Sequence, residues 1–291
     1  MDILILGCGY VGQHTGRKLA DADHAVYGTV RSAEAAEGLI KSNIKPVLIS
    51  EINDILDTNE LQNITHIIDS IPLEKSGTGL INPQQSFVPE LIKKAPKLRW
   101  VGYLSTTGVY GDSGGEWVDE DTPTNPTSER GKQRLVAEKT WLKNFANTEI
   151  FRTSGIYGPG RNLLPTLAKG GYTAIKWDKP HYSNRIHVDD IADALIAAIE
   201  KPKPGRIVNL ADDMPYPHAD YVSELCTAAG FPPPILITPN EARSKLSLSA
   251  LDFFMDNKRI SNKKLHNELL PKLKYPSFRE ALGELISEFR S

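Results

Sequence analysis

Three observations predict an α/β fold, a doubly wound parallel sheet with helices on both faces. Apolar strand-like runs alternate with helical patterns through the first half, a glycine turn closes the first run, and the second half is less regular. The runs fall at 2–6, 25–30, 46–49, 65–69, 99–104 and 148–153, with a late one at 206–210. Helical stretches fit between them at 10–20, 33–42, 84–95 and 129–146. Strands separated by helices of this length pair in parallel through right-handed crossovers, and such sheets bind ligands beyond the carboxyl ends of their strands.

The first element carries the most information. Asp2 to Leu6 is a short apolar strand, and Gly7-Cys8-Gly9-Tyr10-Val11-Gly12 turns it into a helix. A turn of this kind lets main chain approach a pyrophosphate, while the first helical turn aims unpaired N–H groups and a positive dipole end at it. Gly7 permits the tight turn, Gly9 leaves room for phosphate, and Gly12 lets helix and strand pack closely. Strand, turn, helix and second strand together make this a Rossmann dinucleotide site, with Gly7, Gly9, Tyr10, Val11 and Gly12 against the pyrophosphate.

The second strand selects the dinucleotide. A carboxylate for the ribose hydroxyls is expected at its end, ~20 residues past the turn. The chain reads Tyr27-Gly28-Thr29-Val30-Arg31-Ser32 there, with no Asp or Glu. Arg31 offers a planar fork suited to phosphate and Ser32 a second donor, so NADP(H) is expected over NAD(H). The alternative for Arg31 is a solvated side chain at a helix start.

The fifth run delivers Ser105-Thr106-Thr107 to the same crevice, followed by a polar loop, Gly111 to Glu116. Beyond residue 155 the chain is punctuated by Pro159-Gly160, Gly170-Gly171, Lys201 to Gly205 and Pro232-Pro233-Pro234. Helical spacing returns at 188–200, 216–229 and 278–289. The expected organisation is a dinucleotide-binding region over 1–155 and a mainly substrate-binding region over 156–291, whose strand 206–210 returns to the sheet. The charged run Lys258–Lys264 reads as a solvated surface with one helix start.

Composition narrows the function classes. The 291 residues are 40% hydrophobic and 24% charged with formal net charge −2, so no basic field advertises nucleic acid or an anionic membrane. No apolar run approaches the ~18 residues of a transmembrane helix, and with a core strand directly after Met1 a signal peptide is not expected. With only two cysteines, Cys8 and Cys226, a disulfide is not expected, and the cytoplasm is the expected compartment. Cys8 reads as a small residue filling the turn, with thiol activation at a helix N-terminus as the alternative. No His, Cys or Asp cluster has metal-ligand spacing, so no metal is expected.

Several phrases together resemble the extended and atypical short-chain dehydrogenase/reductases, the NAD(P)-dependent epimerase/dehydratase group. They are the glycine turn, Leu104-Ser105-Thr106-Thr107-Gly108-Val109-Tyr110-Gly111, Arg152 to Arg161, Arg185-Ile186-His187-Val188-Asp189-Asp190-Ile191-Ala192, and Val208 to Asp213. The resemblance implies a small hydroxylated or carbonyl substrate, a class that includes sugars, oriented by a Ser/Thr that lands on Thr106. It also implies that Ser70 and Ile71, Ser105 and Ser154 border the cofactor, and that relatives pair through helices including 84–95 and 129–146. The family acid/base is a Tyr four residues before a Lys, with a Glu four residues further on. If Glu138 is that Glu, the pair falls on Arg130 and Arg134.

Arginine stays protonated, its pKa above ~12, and makes a poor acid/base near neutrality. Arg134 suits a ribose or phosphate contact, and Arg130 an oxyanion or an anionic substrate. Ser128 and Lys132 form a Ser-xxx-Lys at a shifted register, but serine lacks the pKa and reach of tyrosine. Tyr110 and Tyr157 are candidates to swing a phenol toward the site, with packing, the commoner role of such tyrosines in relatives of this fold, as the favoured reading. His187 invites a general-base role, but the resemblance has its phrase end a strand and start a helix, with Asp189 or Asp190 as the cap. Arg161 and Arg185 are candidates for a substrate phosphate or for surface pairing. Two functions follow: an NADP(H)-dependent oxidoreductase or epimerase-like enzyme, or a non-catalytic NADP(H) sensor or scaffold.

Overall fold

The computed structural model describes residues 1–77, 79–245, 251 and 254–291, and among these seven strands form one parallel sheet. In chain order they are β1 (Asp2–Leu6), β2 (Ala25–Val30), β3 (Lys45–Leu48), β4 (His66–Asp69), β5 (Trp100–Thr106), β6 (Thr148–Thr153) and β7 (Ile207–Leu210). The spatial order β7-β6-β5-β4-β1-β2-β3 places the topological switch between β1 and β4, beside the glycine turn. Ile3 pairs with Val26 on one side and His66 on the other.

Alternation along β1 divides its side chains between two cores. Ile3 and Ile5 pack under α1 (Tyr10–Asp21) and α5 (Val188–Glu200) with Leu19, Ile191 and Leu195. Leu4 and Leu6 face α3 (Gln84–Lys94) and α4 (Glu129–Asn144) with Phe87, Leu91 and Trp141. Pro89 lies inside α3, and Asp69 at the end of β4 pins that helix and α4. The Asp69 carboxylate is fully buried and accepts from Trp141 Nε1 at 2.7 Å, Gln84 Nε2 at 3.0 Å and the Ile71 amide at 3.0 Å.

Side-chain caps explain several helix starts. Ser32 caps α2 (Ala33–Ile40) by accepting from the Ala35 amide, and Ser128 caps α4 by accepting from Gly131. The Ser128-xxx-Lys132 pair is therefore no site: the serine is a cap and the lysine is exposed. Helix α2 stops two residues short of expectation, in a turn where Asn43 takes φ 56°. Helix α6 (His218–Ala229) starts two residues late because Tyr216–Pro217 pair with Tyr182–Ser183. Ser277 and Glu280 form a capping box on α7 (Phe278–Arg290), whose Phe278, Ala281 and Leu285 join Tyr157, Tyr221 and Leu225 in a separate core.

The run Lys258–Lys264 is not a solvated surface. Lys258 is buried and donates to the Gly111 carbonyl and Asp256, and Arg259–Ile260 pair with Trp117–Val118. These contacts tie the loop after Tyr110 to the C-terminal region, which alternation of charge alone cannot reveal.

Candidate dinucleotide site and its neighbouring cavity

At the switch point Gly7 takes φ 68°, and a Cβ there would lie 3.0 Å from the Ile71 Cα. Any side chain would collide with the end of β4. The Gly7 amide donates to Thr29 Oγ1 at 2.7 Å, and Cys8 N to the Thr29 carbonyl at 3.0 Å, fixing the turn against β2. A Cβ on Gly12 would meet Ile5 Cγ2 at 2.9 Å, which is the close helix–strand approach expected of it. At Gly9 a Cβ would meet nothing nearer than the Gly7 carbonyl at 3.9 Å, so this face is open. No side chain caps α1 at Gly9, and its first-turn donors are available to an anion.

The bordering residues divide by what already occupies them. Ser70 donates to the Gly7 carbonyl at 2.7 Å and the Leu6 carbonyl at 3.2 Å, so its hydroxyl shapes the turn and is not free for the cofactor. Ser105 donates to Glu138 Oε1 at 2.5 Å, inside a buried network in which Glu138 also accepts from Arg152 Nε and Nη2 at 3.2 and 2.9 Å. Strand alternation turns Ser105 into that network and leaves Thr106, half-buried, on the opposite face. Thr106 Oγ1 accepts from the Gly108 amide at 3.1 Å, which leaves its own hydrogen to donate. Ser154 Oγ is buried with no protein partner at the end of β6. Ile71 closes the floor of the turn and gives its carbonyl to Arg134.

Arg134 is built into the wall. Its Nη1 donates to the Ile71 carbonyl at 3.1 Å, Tyr103 Oη at 3.0 Å and the Leu104 carbonyl at 3.4 Å, tying β4 and β5 to α4. Arg130, one turn earlier, is on the exposed side, and desolvation followed by the fields of Arg134 and Arg161 pushes its pKa down. Three guanidinium groups thus converge where the resemblance expects one lysine.

Beyond β2, Arg31 Nη2 donates to Glu74 Oε1 at 2.5 Å, and Ser32 is committed to its helix cap. Arg31, Ser50, Glu51, Pro72 and Glu74 help line a cavity of about 810 Å³ at this edge of the sheet. Glu74 lies 43 residues from Arg31 along the chain, and no local spacing announced it.

The tyrosine and histidine alternatives find structural explanations. Tyr110 is buried and donates to Asn209 Oδ1 at 2.7 Å. His187, and neither Asp189 nor Asp190, caps α5: its Nδ1 accepts from the Asp189 amide at 3.2 Å. The aspartates fail as caps because Asp190 accepts from the Lys274 and Tyr275 amides while Asp189 pairs with Lys274 Nζ at 2.9 Å. Burial pushes His187 down to about 4, so it is neutral at pH 7. Cys8 is no activated thiol, since burial raises it to about 12. Tyr157 is buried, its Oη without a protein partner, and desolvation raises its pKa.

A second cavity, of about 260 Å³, adjoins the turn through Arg161. The Arg161 guanidinium lies 5.5 Å from the Tyr10 ring, while Tyr10 Oη donates to the Pro159 carbonyl at 2.8 Å. Sequence reasoning offered Arg161 and Arg185 here but missed Tyr172, His218, Tyr221 and Phe254, which also line it and come from separate segments. Among the described residues no group of three or more His, Cys, Asp or Glu is placed to hold a metal, and no helix is long and apolar enough to cross a membrane.

Comparison with known proteins agrees with this geometry. The model of the NAD dependent epimerase/dehydratase family matches residues 3–211. Protein YeeZ of Escherichia coli is 28% identical over 241 residues, covering 80% of this chain and 85% of that protein. A functionally unknown conserved protein from Silicibacter pomeroyi is 35% identical, superimposes with TM-score 0.88, and is matched over 99% of this chain and 98% of its own. The fold is also that of UDP-glucuronic acid 4-epimerase from Bacillus cereus, solved in complex with NAD, at TM-score 0.76 and 22% identity over 100% and 99% of the two chains. With that match running from β1 through β7, this chain belongs to the NAD-dependent epimerase/dehydratase family.

Proposed function

We propose that the chain is an NADP(H)-dependent oxidoreductase or epimerase-like enzyme acting on a small hydroxylated or carbonyl substrate. The observation that carries the reading is the uncapped start of α1 beside the open face of Gly9, a ready anion site for the pyrophosphate. The first-turn amides of Tyr10, Val11 and Gly12 hold it, Gly7 and Gly9 shape the turn that admits it, and Arg31 serves the adenosine 2′-phosphate. The Arg31–Glu74 pair is exposed and worth ~0–1 kcal/mol, so a phosphate dianion displaces the carboxylate. Solved relatives are described with NAD, which makes coenzyme choice a direct question for titration.

When bound, the nicotinamide supplies hydride chemistry. The protein orients the substrate: the Thr106 hydroxyl, its oxygen held by Gly108, donates to the substrate oxygen beside Ser154. Arg130 and Arg134 stabilise negative charge at the crevice but transfer no proton near neutrality, so solvent supplies it. Turnover is therefore expected to show no limb from a titrating tyrosine between pH 6 and 9. The test is NADPH consumption across a panel of small carbonyl compounds, with Thr106→Ala as control. Loss of most turnover in that variant supports the assignment, and turnover insensitive to Thr106 refutes it. The absence of an acid/base at 130 and 134 also favours a second reading, a sensor that binds NADPH without turnover.

A further inference from the structure

Among the described residues, the cavity beside the turn is lined without a carboxylate, yet it holds two arginines. Arg185 is only 7% exposed, its Nη1 has no protein partner, and its guanidinium stacks 3.6 Å from the Tyr221 ring centroid. Its Nη2 reaches Ser183 Oγ at 2.8 Å and His218 Nδ1 at 3.4 Å, both uncharged acceptors. His218 is held down to about 3 by burial first and then by Arg185, so it adds no charge at pH 7. Asp212, the carboxyl whose charge acts on Arg185, is raised by burial to about 8 and is mostly protonated at pH 7. A buried guanidinium without a counter-charge is costly, and a ligand anion would remove that cost.

Rings and apolar side chains share the rest of the lining with Asn162, Ser183 and Asn184. Tyr221, Phe254 and Tyr172 present rings, with His218 and Phe254 centroids 4.8 Å apart. Since His218 Nδ1 accepts from Arg185, its Nε2 carries the hydrogen and donates to Tyr172 Oη at 3.1 Å, leaving the phenol hydrogen to donate onward. One guanidinium and one phenol match a planar monoanion. The volume of about 260 Å³ accommodates one ring with a short acid arm and is too small for a nucleoside diphosphate sugar.

We propose that this cavity binds a small aromatic carboxylate, its acid on Arg185 and Tyr172 and its ring among Tyr221 and Phe254. The open end then points past Arg161 toward the crevice, where a carbonyl on the arm would meet Thr106. Only that last placement rests on the dinucleotide reading; binding of the acid does not.

The experiment is calorimetric titration of the full chain with phenylpyruvate, with its neutral analogue 1-phenylpropan-2-one, with phenyl phosphate and with UDP-glucose, while NADPH is titrated separately. Phenylpyruvate is expected to bind at least tenfold more tightly than the other three. Arg185→Met should abolish that preference, and Tyr172→Phe, which removes one hydroxyl, should weaken phenylpyruvate about fivefold with NADPH affinity unchanged. If Arg185→Met fails to fold by circular dichroism, Tyr172→Phe and the neutral analogue carry the test. Equal binding of the neutral ketone, tighter binding of phenyl phosphate or UDP-glucose, or an unaffected Tyr172→Phe overturns the proposal. NADPH binding without phenylpyruvate binding sinks this inference alone.

Discussion

Buried arginines behave differently in the framework of the sheet and at the crevice. In the framework, Arg152 grips both oxygens of Glu138 through Nε and Nη2, and Arg206 turns Nε and Nη2 onto Oε2 of Glu149, all four side chains nearly inaccessible. At the crevice, Arg134 bonds carbonyls and a phenol, and Arg185 a hydroxyl and an imidazole, with no carboxylate among the described residues hydrogen-bonded to either. A cation neutralised from within the fold is spent on architecture. One left without its counter-charge marks where an anion from outside completes the electrostatics.

The largest effects should come from breaking a framework pair. Glu138→Ala strands Arg152 and Ser105 in the interior and should cost ~3–5 kcal/mol in denaturant unfolding. Arg185→Met, by contrast, should leave stability unchanged or raise it by up to ~2 kcal/mol, because it removes an unpaired buried charge. Equal losses in the two variants would erase the distinction between the regions.

Acid sharpens the same contrast. His187 is lowered in the folded state from 6.5 to about 4, so the unfolded chain takes up its proton first as pH falls. Stability is therefore lost between about 6.5 and 4, on the order of 2 kcal/mol from this residue between pH 7 and 5. Asp212, raised to about 8, works in the opposite sense: it gains stability as pH falls from 8 toward its unfolded value of 3.8. His187→Asn keeps a cap acceptor and should flatten the decline between pH 7 and 5, measured by urea unfolding at both pH values. A decline as steep as in the unmodified chain would clear His187 of the role.

Coenzyme choice gives the next effect in size. Arg31→Glu should weaken NADPH by ~10–100-fold and leave NADH nearly unchanged. The smallest effect is expected from Glu74→Gln, which frees Arg31 of an exposed partner worth ~0.2–1 kcal/mol and should tighten NADPH about two- to fivefold. Fluorescence titration of both reduced coenzymes resolves the two variants.

How much of this was legible in the chain depends on whether the information is local. The seven strands and the glycine turn were readable because alternation, helical spacing and glycine conformations are properties of neighbours in sequence. The cap of α5 was misread because two aspartates at its start are better caps by type, yet Lys274 and Tyr275, 84 and 85 residues away, claim Asp190. The Glu74 partner of Arg31, the burial of Lys258 and the lining of the small cavity depend on the same kind of distant encounter. The positions of Ser70 and Ser105 at strand ends are read along the chain, but which partner each hydroxyl takes is set by the turn and by α4.

The central claim is that main-chain amides at the start of α1 grip a dinucleotide pyrophosphate. Isothermal titration of the intact chain with NADPH, NADP+, NADH and NAD+ tests it most directly. The account predicts saturable one-to-one binding with NADPH tightest, and loss of that binding in Gly9→Val, whose side chain would fill the open face. Absence of heat from all four nucleotides would contradict it.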